Sequence, residues 1–111
     1  MLRCARMASA RRKLGLMLST APDHPNLETA LGLSRAALDG GTDVYLYLID
    51  DAVDAVDDER LLALADRGLK LFVCAYGCQK RRQPLSEHAT NCGLVVLTDV
   101  INGTDRFVAL N

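Results

Sequence analysis

Tryptophan is absent from this chain of 111 residues, and aromatic residues make up only 5% of it. A core built from such a sequence has to be aliphatic, made of Leu, Val, Ala and Ile. Charge of one sign is missing too. Thirteen basic groups meet 14 acidic ones for a formal charge of −1, so nothing electrostatic argues for nucleic acid as the main partner. The apolar run Leu14-Gly15-Leu16-Met17-Leu18 is closely followed by Asp23 and Pro25. It falls short of the roughly 7–15 residues of a secretory core and of the ~20 of a membrane span. Nor is there a glycine-rich phosphate loop. The segment after that run, Ser-Thr-Ala-Pro-Asp-His-Pro, contains no glycine, which counts against a flavodoxin or a nucleotide binder.

What is present points to one folded domain. Half of the residues are hydrophobic and 24% are charged, a balance that excludes disorder. A chain of this length buries roughly 65% of its unfolded surface, enough for a core without covalent staples. The charge is unevenly spread. Residues 1–13 hold five basic groups and no acid, leaving 8 basic and 14 acidic groups in the remainder, a net −6. Residues 1–12 are expected to be a flexible, dispensable basic extension, with Met7 an alternative start. An organelle presequence and a nucleic-acid arm are the competing readings of this short run.

The body alternates short apolar runs with helical patterns. Strands are expected at Lys13–Leu18, Val44–Ile49, Leu69–Val73, Gly93–Leu97 and Arg106–Leu110. Helices are expected at Asn26–Asp39, Asp57–Arg67 and Pro84–Thr90. Pro25 suits a helix start and Gly40-Gly41 its end. The run Val-Tyr-Leu-Tyr-Leu-Ile has no polar alternation, the mark of a parallel strand covered on both faces. The expected fold is therefore a three-layer α/β/α Rossmann-like domain, residues 13–111, with a mainly parallel five-stranded sheet. Such sheets build sites at the C-terminal ends of their strands. Three loops, Ser19–His24, Asp50–Asp57 and Cys74–Gln83, meet there.

The chemistry centres on Cys74-Ala75-Tyr76-Gly77-Cys78-Gln79-Lys80-Arg81-Arg82. A thiol becomes a nucleophile when cations or the amides of a turn stabilise its thiolate. Lys80, Arg81 and Arg82 form the one basic cluster in the acidic body, and nothing acidic lies between Val73 and Ser86. Cys78, four positions on, shares a face with Cys74 if the segment is helical. The bland alternative is a buried apolar cysteine and a spectator neighbour. His24, in the first loop, can move a proton at the same edge or merely cap a helix. Cys74, Cys78, His88 and Cys92 read as C-x3-C-x9-H-x3-C, a zinc-type ligand set. With Cys92 at the foot of a strand on the opposite edge, that set does not close. Cys4 and Cys92 are expected to be uninvolved. The acids Asp50, Asp51, Asp54, Asp57, Asp58 and Glu59 read as a solvated loop and a helix start rather than a phosphoacceptor pocket. Without an export signal the compartment is expected to be reducing and cytoplasmic, so the cysteines are not a disulfide framework.

In order along the chain, the sequence resembles the DsrE/DsrF-like family, which includes the sulfur-relay, TusD-like proteins. The resemblance runs over about residues 13–111. It rests on Pro25-Asn26-Leu27-Glu28-Thr29-Ala30, on a strand ending in acids (Tyr47-Leu48-Ile49-Asp50-Asp51-Ala52-Val53), and on Cys74 placed directly after a strand with Arg81-Arg82 beyond it. Gly93-Leu94-Val95-Val96-Leu97-Thr98-Asp99 and Thr104-Asp105-Arg106-Phe107-Val108 complete it. It departs from the family where Gln83 follows the arginine pair and where a second loop cysteine is present. The resemblance implies a Rossmann-like domain in a homo-oligomer, a trimer or hexamer, and a persulfide carried on Cys74. Donor and acceptor would be proteins or small persulfides, with no metal or organic cofactor. Cys78 could then attack the persulfide, releasing sulfide and closing a disulfide. The alternatives are a non-catalytic assembly module of the same fold and a structural Cys/His metal site.

Overall fold

The computed structural model describes residues 11–84 and 86–111. Most of the basic extension and Cys4 lie outside these residues. Arg11 and Arg12 are described and belong to the sheet margin: Arg11 Nε pairs with Asp43 at 2.8 Å, and the Arg12 carbonyl accepts the Asp43 N–H.

Five parallel strands form one sheet: β1 (Lys13–Leu18), β2 (Asp43–Leu48), β3 (Lys70–Cys74), β4 (Thr90–Cys92) and β5 (Arg106–Leu110), in the order β4-β3-β2-β1-β5. The helices are α1 (Asn26–Asp39), α2 (Glu59–Asp66), α3 (Ala75–Lys80) and α4 (Leu94–Gly103), with a 3₁₀ helix at Asp50–Ala55 after β2. The expected α/β/α domain with a parallel five-stranded sheet is the fold observed.

One sheet face is aliphatic across β1, β2 and β3. Leu16, Leu18, Val44, Leu46, Leu48 and Val73 are each 0% exposed and pack with Leu27 and Leu31 of α1 and Leu61 and Leu64 of α2. The register places Gly15, Tyr45, Tyr47, Phe72, Cys74 and Cys92 on the other face. There α4 crosses at Gly15. A Cβ at that position would lie 2.8 Å from Thr104 Oγ1, 2.9 Å from Phe107 Cδ1 and 3.1 Å from Val100 Cγ1. Only a residue without a side chain lets the end of α4 approach β1 so closely. Gly15→Ala is expected to cost about 1–3 kcal/mol through overpacking, read as a lower midpoint in urea with an unchanged slope.

Two expected elements are corrected. Residues 93–97 are not a strand but, apart from Gly93, the first turns of α4. The run Gly-Leu-Val-Val-Leu is apolar enough for a strand. However, β4 lies beside β3 and β5 on the far side of β1, so the connection must cross the sheet. A parallel crossover takes about a dozen residues or more, and residues 98–105 alone are too few. The expected helix Pro84–Thr90 is also absent. Pro84 and residues 86–89 are irregular chain, and β4 begins at Thr90. Ser86 Oγ accepts the His88 N–H at 3.0 Å and reaches Asp57 at 3.3 Å. Such local side-chain bonds compete with a helix too short to nucleate cheaply. The helix expected at 57–67 spans 59–66, because the Asp58 side chain accepts from the Arg60 N–H and caps it. The second and third strands each begin and end within one residue of expectation.

Candidate functional site

The chain adds strands in one direction from β1 to β4 and then returns to the other side of β1. The connection leaving β3 packs on the 3₁₀ helix, whereas the one leaving β4 crosses the opposite face. The strand order thus reverses between β1 and β5, and the gap between β3 and β4 is set apart by connections that leave its two strands toward opposite faces. Cys74 ends β3 on one side of this gap and Cys92 ends β4 on the other.

Cys74 is both the last strand residue and the N-cap of α3. Its Sγ accepts the Gly77 N–H at 3.4 Å, a contact that stabilises negative charge on sulfur. Gly77 lets α3 lie close against the 3₁₀ helix. A Cβ there would lie 3.0 Å from Val53 Cγ1 and 3.6 Å from the Cys74 Cβ. In front of the thiol lies a cavity of about 220 Å³ lined by Ile49, Asp50, Tyr76, Gly77, Lys80, Arg81 and Leu94. Asp50 lies in the left-handed region at φ 53. Asp tolerates this better than most residues, and backbone strain of this kind gathers at functional sites.

The cations expected around Cys74 divide. Lys80 and Arg81 line the cavity, but the Arg81 guanidinium is paired with Asp51, with Asp50 and Asp54 nearby. Arg82 is exposed at the end of α3, with φ 56, and does not line the cavity. The acids read as a solvated loop are exposed, yet Asp50 and Asp51 also stand at the mouth of the site. His24 is exposed, and its Nδ1 accepts the Asn26 N–H at 3.0 Å at the start of α1. It is not among the residues lining the cavity.

The position expected for Cys92 is corrected. It is not at the foot of a strand on the opposite edge. It stands at the C-terminal end of β4, in register with Cys74. The misassigned strand at 93–97 had put Cys92 before a strand instead of at the end of one. The argument that a Cys/His cluster could not close for that reason falls with it. Even so, among the described residues no three His, Cys, Asp or Glu side chains are grouped as a metal would need, and His88 is exposed in the loop before β4.

Tyr47 is the residue that sequence reasoning missed. It is 0% exposed in the second strand. Its hydroxyl donates to the Gly93 carbonyl at 3.0 Å and lies against the Cys74 and Cys92 thiols. A tyrosine buried mid-strand needs a partner for its hydroxyl, and that need was the available signal. Burial, then the two thiols, push Tyr47 well above the usual tyrosine range. Burial also raises Cys78, with Cys74, Asp54 and Asp57 adding to the shift. It raises Cys92 too, partly offset by the Tyr47 hydroxyl.

These three groups hold their protons more tightly folded than unfolded. Their contribution to stability is intact below the unfolded values, 9.0 for the thiols and 10.0 for tyrosine, and is lost as pH rises through the folded ones. Thermal stability is expected to fall above about pH 9 and to fall less steeply in Tyr47→Phe. A flat profile to about pH 11, roughly one unit above the ordinary tyrosine value, contradicts the burial.

No protein-family model matches the chain, and no curated protein sequence does. Solved structures do match. The ychN protein from E. coli superposes with a TM-score of 0.74, covering 91% of this chain and 100% of its own, at 16% identity. The chain has a YchN-like fold. A conserved protein of unknown function from Bacteroides thetaiotaomicron matches with a TM-score of 0.72, covering 88% of this chain and 94% of its own, at 13% identity. At these identities the likeness is one of fold. Among the described residues no helix is long and apolar enough to cross a membrane.

Proposed function

We propose that this protein is a sulfur carrier of the DsrE/DsrF-like kind. In this reading it accepts sulfane sulfur as a persulfide on Cys74 and passes it to a partner thiol. The observation that carries the reading is the placement of Cys74: at the C-terminal end of β3, under an N–H donor, beside a cavity with room for a second sulfur. Lys80 at the cavity wall supplies a positive charge for the terminal sulfur anion. The chemistry requires only thiols, so neither a metal nor an organic cofactor takes part, and it suits a reducing compartment such as the cytoplasm. Donor and acceptor are proteins or small persulfides able to reach the cavity mouth.

The same reading includes a homo-oligomer, a trimer or hexamer. Supporting it, α4 is strongly apolar yet buries only Val100 among its residues. Leu94, Val95 and Tyr76 are 56%, 71% and 70% exposed beside the cavity. An apolar cluster of this kind is what a partner copy would cover. It is also what favours the second reading, an assembly module of this fold whose thiols are spectators. Light scattering is expected to give a mass of three or six chains at tens of micromolar, and a strict monomer there refutes the oligomer.

Incubation with glutathione persulfide, followed by peptide mass analysis, separates the two readings. The carrier gains the mass of one sulfur atom on Cys74. A chain that takes up none while folded is the assembly module.

A further inference from the structure

The three described cysteines meet at one corner of the sheet, but they are not equivalent. Cys74 and Cys92 are the last residues of neighbouring parallel strands and are partners in register. Their side chains therefore leave the same face of the sheet. Adjacent strands lie about 4.8 Å apart, within the roughly 4.4–6.8 Å between Cα atoms that a disulfide spans. The Tyr47 hydroxyl lies near both thiols and donates to the Gly93 carbonyl, which pins the corner that bears Cys92. Cys92 is half-buried, whereas Cys74 and Cys78 are 3% and 1% exposed, so Cys92 is the most accessible of the three. Cys78 sits on α3 against the 3₁₀ helix, where Asp54 and Asp57 oppose its ionisation. No carboxylate acts on Cys92 in this way.

We propose that Cys92, rather than Cys78, is the resolving thiol for Cys74. The step rests on the sulfur-carrier reading. The Cys92 sulfur attacks Cys74 Sγ of the persulfide. A bond between the two cysteine sulfurs forms, and the bond from Cys74 Sγ to the terminal sulfur breaks. The terminal sulfur leaves with that electron pair, and the proton of the Cys92 thiol goes to it. One persulfide and one thiol become one disulfide and one hydrogen sulfide. This is a thiol–persulfide exchange and needs no external oxidant. A loaded chain that meets no acceptor thus discharges its sulfur as sulfide and closes, and a dithiol reductant reopens it.

The test uses the full chain, loaded with glutathione persulfide and then freed of donor. The wild type and Cys78→Ser are expected to release one sulfide for each persulfide lost and to yield a disulfide between Cys74 and Cys92. Cys92→Ser and Cys92→Ala, checked for folding by circular dichroism, are expected to keep the persulfide and release none. Trypsin leaves Cys74 and Cys78 together in peptide 71–80 and Cys92 in another, so a link in Cys78→Ser is unambiguous. Release that persists without Cys92 and disappears in Cys78→Ser overturns the proposal. A parallel arm uses diamide, which takes two hydrogens from a pair of thiols and needs no sulfur donor. If Cys74 takes up no sulfur while diamide links it to Cys92, the carrier reading fails and the pairing stands. If Cys74 takes up sulfur but neither route links it to Cys92, the pairing fails and the carrier reading stands.

Discussion

Limiting iodoacetamide is expected to label Cys74 ahead of Cys78 and Cys92 throughout roughly pH 5–9. Cys74→Ser is expected to reduce persulfide loading to background. The order follows from what each sulfur meets. Cys74 is only 3% exposed, but its Sγ receives the Gly77 N–H and the residue lines the cavity through which a small reagent reaches it. Cys78 and Cys92 are both raised above the ordinary thiol value by burial, so their labelling lags and climbs only as the pH passes 9.0. Peptide mapping after a short pulse reads the order directly. Cys78 labelled first, with the persulfide on it alone, reverses the roles of the two loop cysteines. If none of the three labels in the folded chain, sulfur transfer has no chemical basis.

The second large effect is on stability. Leu46 stands mid-way along β2 and is 0% exposed. Leu46→Ala removes buried methyl groups from the aliphatic face and leaves a cavity between the sheet and its helices, at a cost of about 2–5 kcal/mol. For a domain of this size the melting temperature should drop on the order of 10–20 °C. Leu33 on α1 is 38% exposed, and Leu33→Ala should stay within about 0.5 kcal/mol. Calorimetry on both variants checks the contrast. Equal losses at the two positions contradict the assignment of β2 to the centre of the sheet.

Elements with strong local signals were legible without any structure. The bounds of β1, α1 and β5 were readable because each joins a clear apolar period to a clear stop, such as Gly40-Gly41 after α1. The position of Cys74 at a strand's C-terminal end followed from the same logic. The segment 84–103 was not legible. Its Gly-Leu-Val-Val-Leu run satisfies a buried strand and a sheet-crossing helix equally well, and only the distance from β4 across to β5 separates them. That one misassignment carried Cys92 to the wrong edge and hid half of the thiol pair. The sequence places Tyr47 in a strand covered on both faces, but nothing local shows which group its hydroxyl meets.

By itself, then, the sequence determined an aliphatic α/β domain, the alternation of strands and helices, and a cysteine delivered to the edge where such sheets bind. These depend on short-range quantities: side-chain period, capping and turn residues, and apolar run length. Only the tertiary structure decided which strands are neighbours. It thereby decided that Cys92 faces Cys74, that Tyr47 lies against both, and that Arg81 answers to Asp51 rather than to the thiol alone. Those pairings join residues distant in the chain. They are set by strand order and crossover direction, and no local pattern carries that information.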